Sequence, residues 1–187
     1  PYPYNPEKAK TLLADAGYGP NNPLKFELMA TNQEVFVNQA FMIQAYMKDI
    51  GAQVEILHFE KSILFDRVYV RNAFEGKPES FQAAVEDWGS NAVNPRRSAE
   101  DLYSSGSKYN KCFYANPELD GLFEEVNSAE TIEEQKKIYY RTEELIARDV
   151  PTIWICNPKV ASAYRKGVMN FNPNAENRMP LERVWLA

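Results

Sequence analysis

The sequence predicts an α/β fold whose strands are joined by crossover helices. Two observations carry this reading. Up to Trp88, apolar residues recur at helical and then at strand spacing, giving helix, strand, helix, strand, helix, strand. Most of these elements are also bounded by a Gly, a Pro or an Asn-Pro pair. The length of 187 residues, with 44% hydrophobic residues and a formal net charge of -5, suits one sizeable domain or two small lobes.

The elements follow in order. In "NPEKAKTLLADAG" Asn5 is a helix cap and Pro6 fits the first turn, where its missing N–H has no partner to lose. Ala9, Leu12, Leu13 and Ala16 share a face, and Gly17 ends the helix. In "PLKFELMAT" Leu24, Phe26 and Leu28 alternate with Lys25 and Glu27, the pattern of a half-buried strand. Residues 34–50 form a helix on Phe36, Ala40, Ile43, Met47 and Ile50, stopped by Gly51. "AQVEILHF" is the second strand, with Leu57 turning at the edge. Ser62 to about Asn72 is a third helix on Leu64, Phe65, Val68 and Tyr69, and "FQAAVEDW" is a third, less regular strand. Residues 89–115 read as a long loop with a helical turn at 98–103, and loops of this length are uncommon unless they bind something or move. Asn116 and Pro117 repeat the cap of the first helix, with Leu119, Leu122, Phe123 and Val126 on one face. Thr131 and Glu134 make a capping box for a helix reaching about Arg148. "VPTIWIC" and "VASAYR" read as strands, and the tail is turn with a short extended end at "RVWL".

Several chemistries are disfavoured. The chain is mildly acidic and its longest basic feature is Arg96-Arg97, so no nucleic-acid partner is expected. No stretch approaches the roughly 18 apolar residues of a membrane helix. The chain opens on "PYPYNPEKAK" with no visible signal peptide, which suits a processed, trimmed or partial sequence. Cys112 and Cys156 are too few for a zinc cluster; Cys156, within "TIWICNP", is expected in the core, and a disulfide between the two is the other reading. His58 is the single histidine and reads as a strand-end residue. Asp87 is the one acid worth naming, but it lacks a second carboxylate, and Ser104, Ser105 and Ser107 lack a base. No phosphate-binding glycine loop is present. The chain therefore reads as no enzyme, with no catalytic residue, metal site or cofactor.

Aromatic and amide side chains say more. Trp88, Ser90, Asn91, Asn94, Tyr103, Tyr109, Asn110 and Tyr114 all fall between the end of a strand and the next helix. In open α/β sheets ligands bind beyond the carboxyl ends of strands, and aromatic faces with amides suit a peptide or a sugar. The plainer alternative is a strand end, its turn and scattered aromatics.

The segments "YNPEKAKTLLADAGY", "IQAYMKDIGAQVEI", "DWGSN", "YNKCFYANPELDGLFEEV", "EEQKKIYYRTEELIARDVPTIWI" and "YRKGVMNFNPNAENRMPLERVWL" occur in an order that resembles the family 5 extracellular solute-binding proteins. These are receptors of bacterial ABC importers for dipeptides, oligopeptides and nickel. The resemblance covers nearly the whole chain, but only the C-terminal portion of the family's length. It implies a periplasmic-binding-protein-like type II lobe, a mixed sheet flanked by helices, with a C-terminal hinge or return segment. Residues 1–150 would be most of the second lobe; 151–187 would be the hinge return and the C-terminal part of the first, whose N-terminal remainder is missing here. The implied location is periplasmic or extracellular, with a membrane-anchored lipoprotein as one form. The implied partners are a small solute, either peptide or oligosaccharide, and an ABC permease in the membrane. The ligand-binding residues it points to are Asp87, Trp88, Gly89, Ser90 and Asn91, with Tyr109 and Asn110. Asn91 stands where peptide-binding relatives carry an aspartate that holds the ligand's ammonium. An amide cannot form that ion pair, which opens the way to a neutral sugar stacked on Trp88. A different class of reading is an isolated lobe serving as an interaction or oligomerisation module.

Overall fold

The structure, a computed structural model, describes residues 2–69, 81–89, 95–157, 159, 161–172 and 181–187, and only the backbone of 95–97. Ser90, Asn91 and Asn94 lie outside the described residues, as do the side chains of Arg96 and Arg97.

Helix α1 (Pro6–Asp15) starts as the sequence predicts: the Asn5 side chain accepts from the Lys8 N–H. Gly17 follows its end at φ 88°, a conformation that costs glycine little. Strand β1 (Lys25–Thr31), helix α2 (Glu34–Asp49), strand β2 (Gln53–Phe59), helix α3 (Lys61–Phe65) and strand β3 (Ala83–Val85) then alternate. The sheet has the order β2-β1-β3 and all three strands are parallel. In register, Met29 lies opposite Leu57 on one side and Ala84 on the other.

Strand β1 alternates only over its first half; from Leu28 onward every residue is buried. The reason is that both faces of the sheet are covered, as parallel sheets require. Leu28, Ala30, Val54 and Val85 pack with Phe36 and Ala40 of α2. Met29 packs on the opposite face with Leu64 of α3, Val68 and Tyr69, joined by Leu57, Phe59, Ala84 and Trp88. Leu57 is thus the opposite-face partner of Ile56. Beyond Phe65 the helix widens into a π-helical stretch over 66–69, a distortion frequent near functional sites.

The second half is helical. Helix α4 (Pro95–Tyr103) is longer than the turn expected at 98–103. Helix α5 (Pro117–Ser128) is capped by Asn116, which accepts from Glu118 and Leu119, and α6 (Ile132–Asp149) carries both halves of the Thr131–Glu134 capping box. Leu102, Tyr103, Leu119, Phe123, Leu145 and Ile146 form their common core. Helix α6 ends on Val150, whose φ of 48° lies in the left-handed region that β-branched residues avoid, just before Pro151.

Two expectations are corrected after that point. The stretches "VPTIWIC" and "VASAYR" carry no strand among their described residues, and Ile153 and Trp154 are 76% and 65% exposed. A strand needs a ladder partner for its backbone groups, and no described strand lies alongside them. For the same reason Cys156 is exposed rather than in the core, and both cysteines are free thiols. The tail does extend as expected: β4 (Val168–Met169) pairs antiparallel with β5 (Trp185–Leu186). Parallel and antiparallel pairing therefore occur in separate sheets.

Candidate functional site

The site is built at the carboxyl end of β3. Side chains alternate along extended chain, so Glu86 and Trp88 leave on the face covered by α3. Trp88 is half-buried and packs against two cores at once, that of the sheet's α3 face and that of the three C-terminal helices. It joins an aromatic group. Its ring stacks with Tyr69 at 6.2 Å and 27°, and meets Tyr109 at 5.6 Å. Tyr69 in turn stacks on Phe65 at 4.8 Å.

Beside these rings lies an ion pair that the sequence reading missed. Lys111 Nζ contacts the Glu86 carboxylate, and both side chains are largely buried, at 12% and 14% exposure. Lys111 also donates to Tyr69 Oη at 2.9 Å, and Tyr69 Oη donates to Glu86 Oε1 at 3.0 Å. The ammonium stands 4.9 Å from the Tyr69 ring centre and 6.0 Å from that of Trp88, within cation–π range. Burial lowers the lysine pKa, whereas a carboxylate in contact raises it; with two acceptors on the ammonium, the geometry favours the charged pair. Burial first, then the charge of Asp87, push the Tyr69 phenol far above its ordinary value, so it remains a donor to Glu86 at neutral pH.

The sequence-predicted residues divide. Trp88 and Tyr109 come together in the aromatic group. Asp87 is exposed and pairs with Lys61 at 3.3 Å, and Gly89 is exposed with open space around it. Asn110 is buried and holds its own loop. Its Nδ2 donates to the Ser104 and Tyr114 carbonyls at 3.1 and 2.7 Å, and its Oδ1 accepts from the Tyr114 N–H at 3.1 Å. Asn110 also lines a recess of about 270 Å³ made by loop residues between Ser105 and Ala115, which Trp88 and Tyr109 do not line. Among the described residues no group of three His, Cys, Asp or Glu side chains is placed to hold a metal ion. His58 is exposed on β2, 6.2 Å from the Phe41 ring.

Comparison with known proteins places this geometry. Residues 1–110, more than half of the chain, match the family described as bacterial extracellular solute-binding proteins, family 5 Middle. The chain belongs to the family 5 extracellular solute-binding proteins. It is 29% identical to the periplasmic oligopeptide-binding protein OppA of Haemophilus influenzae over 174 residues, 89% of this chain and 30% of the relative. This family 5 chain thus spans about a third of the length of the curated relatives it matches. Among solved structures, DppA of Helicobacter pylori in complex with the peptide STSA is 26% identical, with a TM-score of 0.69 over 81% of this chain and 28% of that one. NikA of Staphylococcus aureus in complex with Ni(L-His)2 has a TM-score of 0.73 over 92% of this chain and 36% of that one; at 22% identity that likeness concerns the fold. The α/β architecture expected from the sequence is thereby that of periplasmic binding proteins, and the family is one of binding proteins. No helix among the described residues is long and apolar enough to cross a membrane.

Proposed function

We propose that this sequence is part of the solute-capturing component of a bacterial ABC importer, acting in the periplasm or outside the cell, and that its cargo is a short peptide. Residues 1–150 would supply most of one lobe. Residues 151–187 would return across the hinge into the other, which accounts for an apolar stretch that finds no strand partner among the described residues. Closure of two lobes would bury the cargo and create the form that the permease engages.

The observation that carries this reading is the placement of Trp88 and Tyr109. They form an aromatic wall at the carboxyl edge of a parallel sheet, in a chain that belongs to a solute-binding family. Flat aromatic faces suit the amide planes and apolar side chains of a peptide. Peptide as the cargo is supported by the names of the relatives, OppA and DppA with its bound peptide among them. Asn91 and a stacking tryptophan would equally serve a neutral oligosaccharide, so the test includes one.

Equilibrium dialysis of the two-lobed protein against mixed short peptides and mixed maltooligosaccharides, read by mass spectrometry, tests the reading. Selective retention of peptides is expected. Retention of the oligosaccharides instead would replace the cargo class, and retention of neither would remove the assignment of this edge as a binding site.

A further inference from the structure

We infer that Lys111 is a positioning residue for the aromatic wall: held by Glu86 and Tyr69, it sets the orientation of the Trp88 ring. The inference rests on the proposed role of that wall in binding. A tryptophan can be oriented by its edge, through the indole N–H, or by its faces. Trp88 Nε1 is buried and makes no hydrogen bond among the described residues, so no described group fixes the ring by its edge. The faces remain. Tyr69 stacks nearly parallel to the ring, Tyr109 lies against it at 59°, and the Lys111 ammonium lies within cation–π distance of both Tyr69 and Trp88.

Lys111 can do this because it is itself fixed. Glu86 grips it from the strand end, two residues before Trp88, and Tyr69 Oη bridges the two charges. The three side chains come from three separate parts of the chain: the π-helical stretch after α3, the end of β3, and the loop before α5. A shift of that loop relative to the sheet would move the ammonium, and the ring with it. The pair therefore couples the loop to the angle of the indole.

The test separates positioning from simple stabilisation. Removing one member of a buried ion pair leaves the other charge unpaired, and Lys111→Met alone is expected to lower stability. Replacing both members with apolar side chains removes that penalty, so Lys111→Met/Glu86→Leu is the decisive variant. In a background with Trp154→Phe and Trp185→Phe, Trp88 is the only indole of this 187-residue sequence, and the spectra are taken on that chain. The double variant is expected to recover a near-native thermal midpoint while its Trp88 near-ultraviolet circular dichroism weakens and its acrylamide quenching rises. Binding of a retained peptide is expected to fall roughly tenfold. Native midpoint together with native Trp88 spectra would overturn the inference, leaving the pair as a stabilising contact. The spectra need no ligand. If the parent protein binds no peptide, the proposed cargo fails while the positioning of Trp88 is still decided.

Discussion

The hydroxyls of Tyr103 and Thr152 lie 2.5 Å apart, joining the last residue of α4 to the segment that follows α6. Tyr103 is almost fully buried, and its ring also meets Trp154 edge-on at 6.4 Å. This contact anchors the start of the 151–165 stretch, which has no strand among its described residues.

Tyr103→Phe should therefore cost about 1 kcal/mol, because the half-buried Thr152 hydroxyl loses its partner while the ring packing remains. For a chain of this size that corresponds to roughly 2–4 °C in thermal midpoint. Scanning calorimetry would measure it. Limited proteolysis after Thr152 should accelerate in the same variant, and an unchanged cleavage rate would show that the hydroxyl pair does not anchor the segment.

Asn110→Ala should cost more, about 2 kcal/mol, because it strips partners from the Ser104 and Tyr114 carbonyls and the Tyr114 N–H together. Urea unfolding should show a lower midpoint at unchanged slope. A loss of peptide binding at full stability would instead assign the Asn110 amide to the ligand.

Trp88→Phe keeps a ring between the two cores but loses the breadth of the indole face. Peptide affinity measured by calorimetry should fall roughly tenfold, in keeping with the weight aromatic anchors carry at binding surfaces. Tyr109→Phe should have little effect if its contribution is its ring face.

Acid should loosen the junction of α5 and α6. Asp149 accepts from Arg148 Nε at 2.8 Å, from Tyr114 Oη at 2.7 Å and from Asn116 Nδ2 at 3.0 Å. These donors, Arg148 first, hold its carboxyl down at about 2. A carboxyl depressed on folding adds stability above its unfolded value, near 4, and that contribution is lost as pH falls from about 4 toward 2. Asp149→Asn should flatten the dependence of the thermal midpoint on pH in that window. An equally steep slope in the variant would place the acid sensitivity elsewhere.

What was legible in the sequence is what depends on near neighbours. Asn5-Pro6, Asn116-Pro117 and the Thr131–Glu134 box mark helix starts because capping is settled within one turn. Trp88 and Tyr109 were legible as a group because both fall between a strand end and a helix. Lys111 and Glu86 were not, since charged residues read as solvated unless a partner is visible, and theirs comes from a distant part of the chain. Tyr69 read only as the apolar side of a helix, because its hydroxyl acquires its role from the same pair. "TIWIC" misled for the converse reason: apolar β-formers make a strand only where another strand receives them.

The parallel register of β1 with β2 and β3 has one more consequence. Strands that run the same way deliver every following loop to the same rim, whereas their side chains lock the layers behind it. Met29, fixed between Leu57 and Ala84, belongs to the layer on which the Trp88 ring rests. A scaffold of this kind leaves the exposed residues of the rim, Asp87 and Gly89, loosely tied to the fold, whereas Trp88 belongs to rim and layers at once.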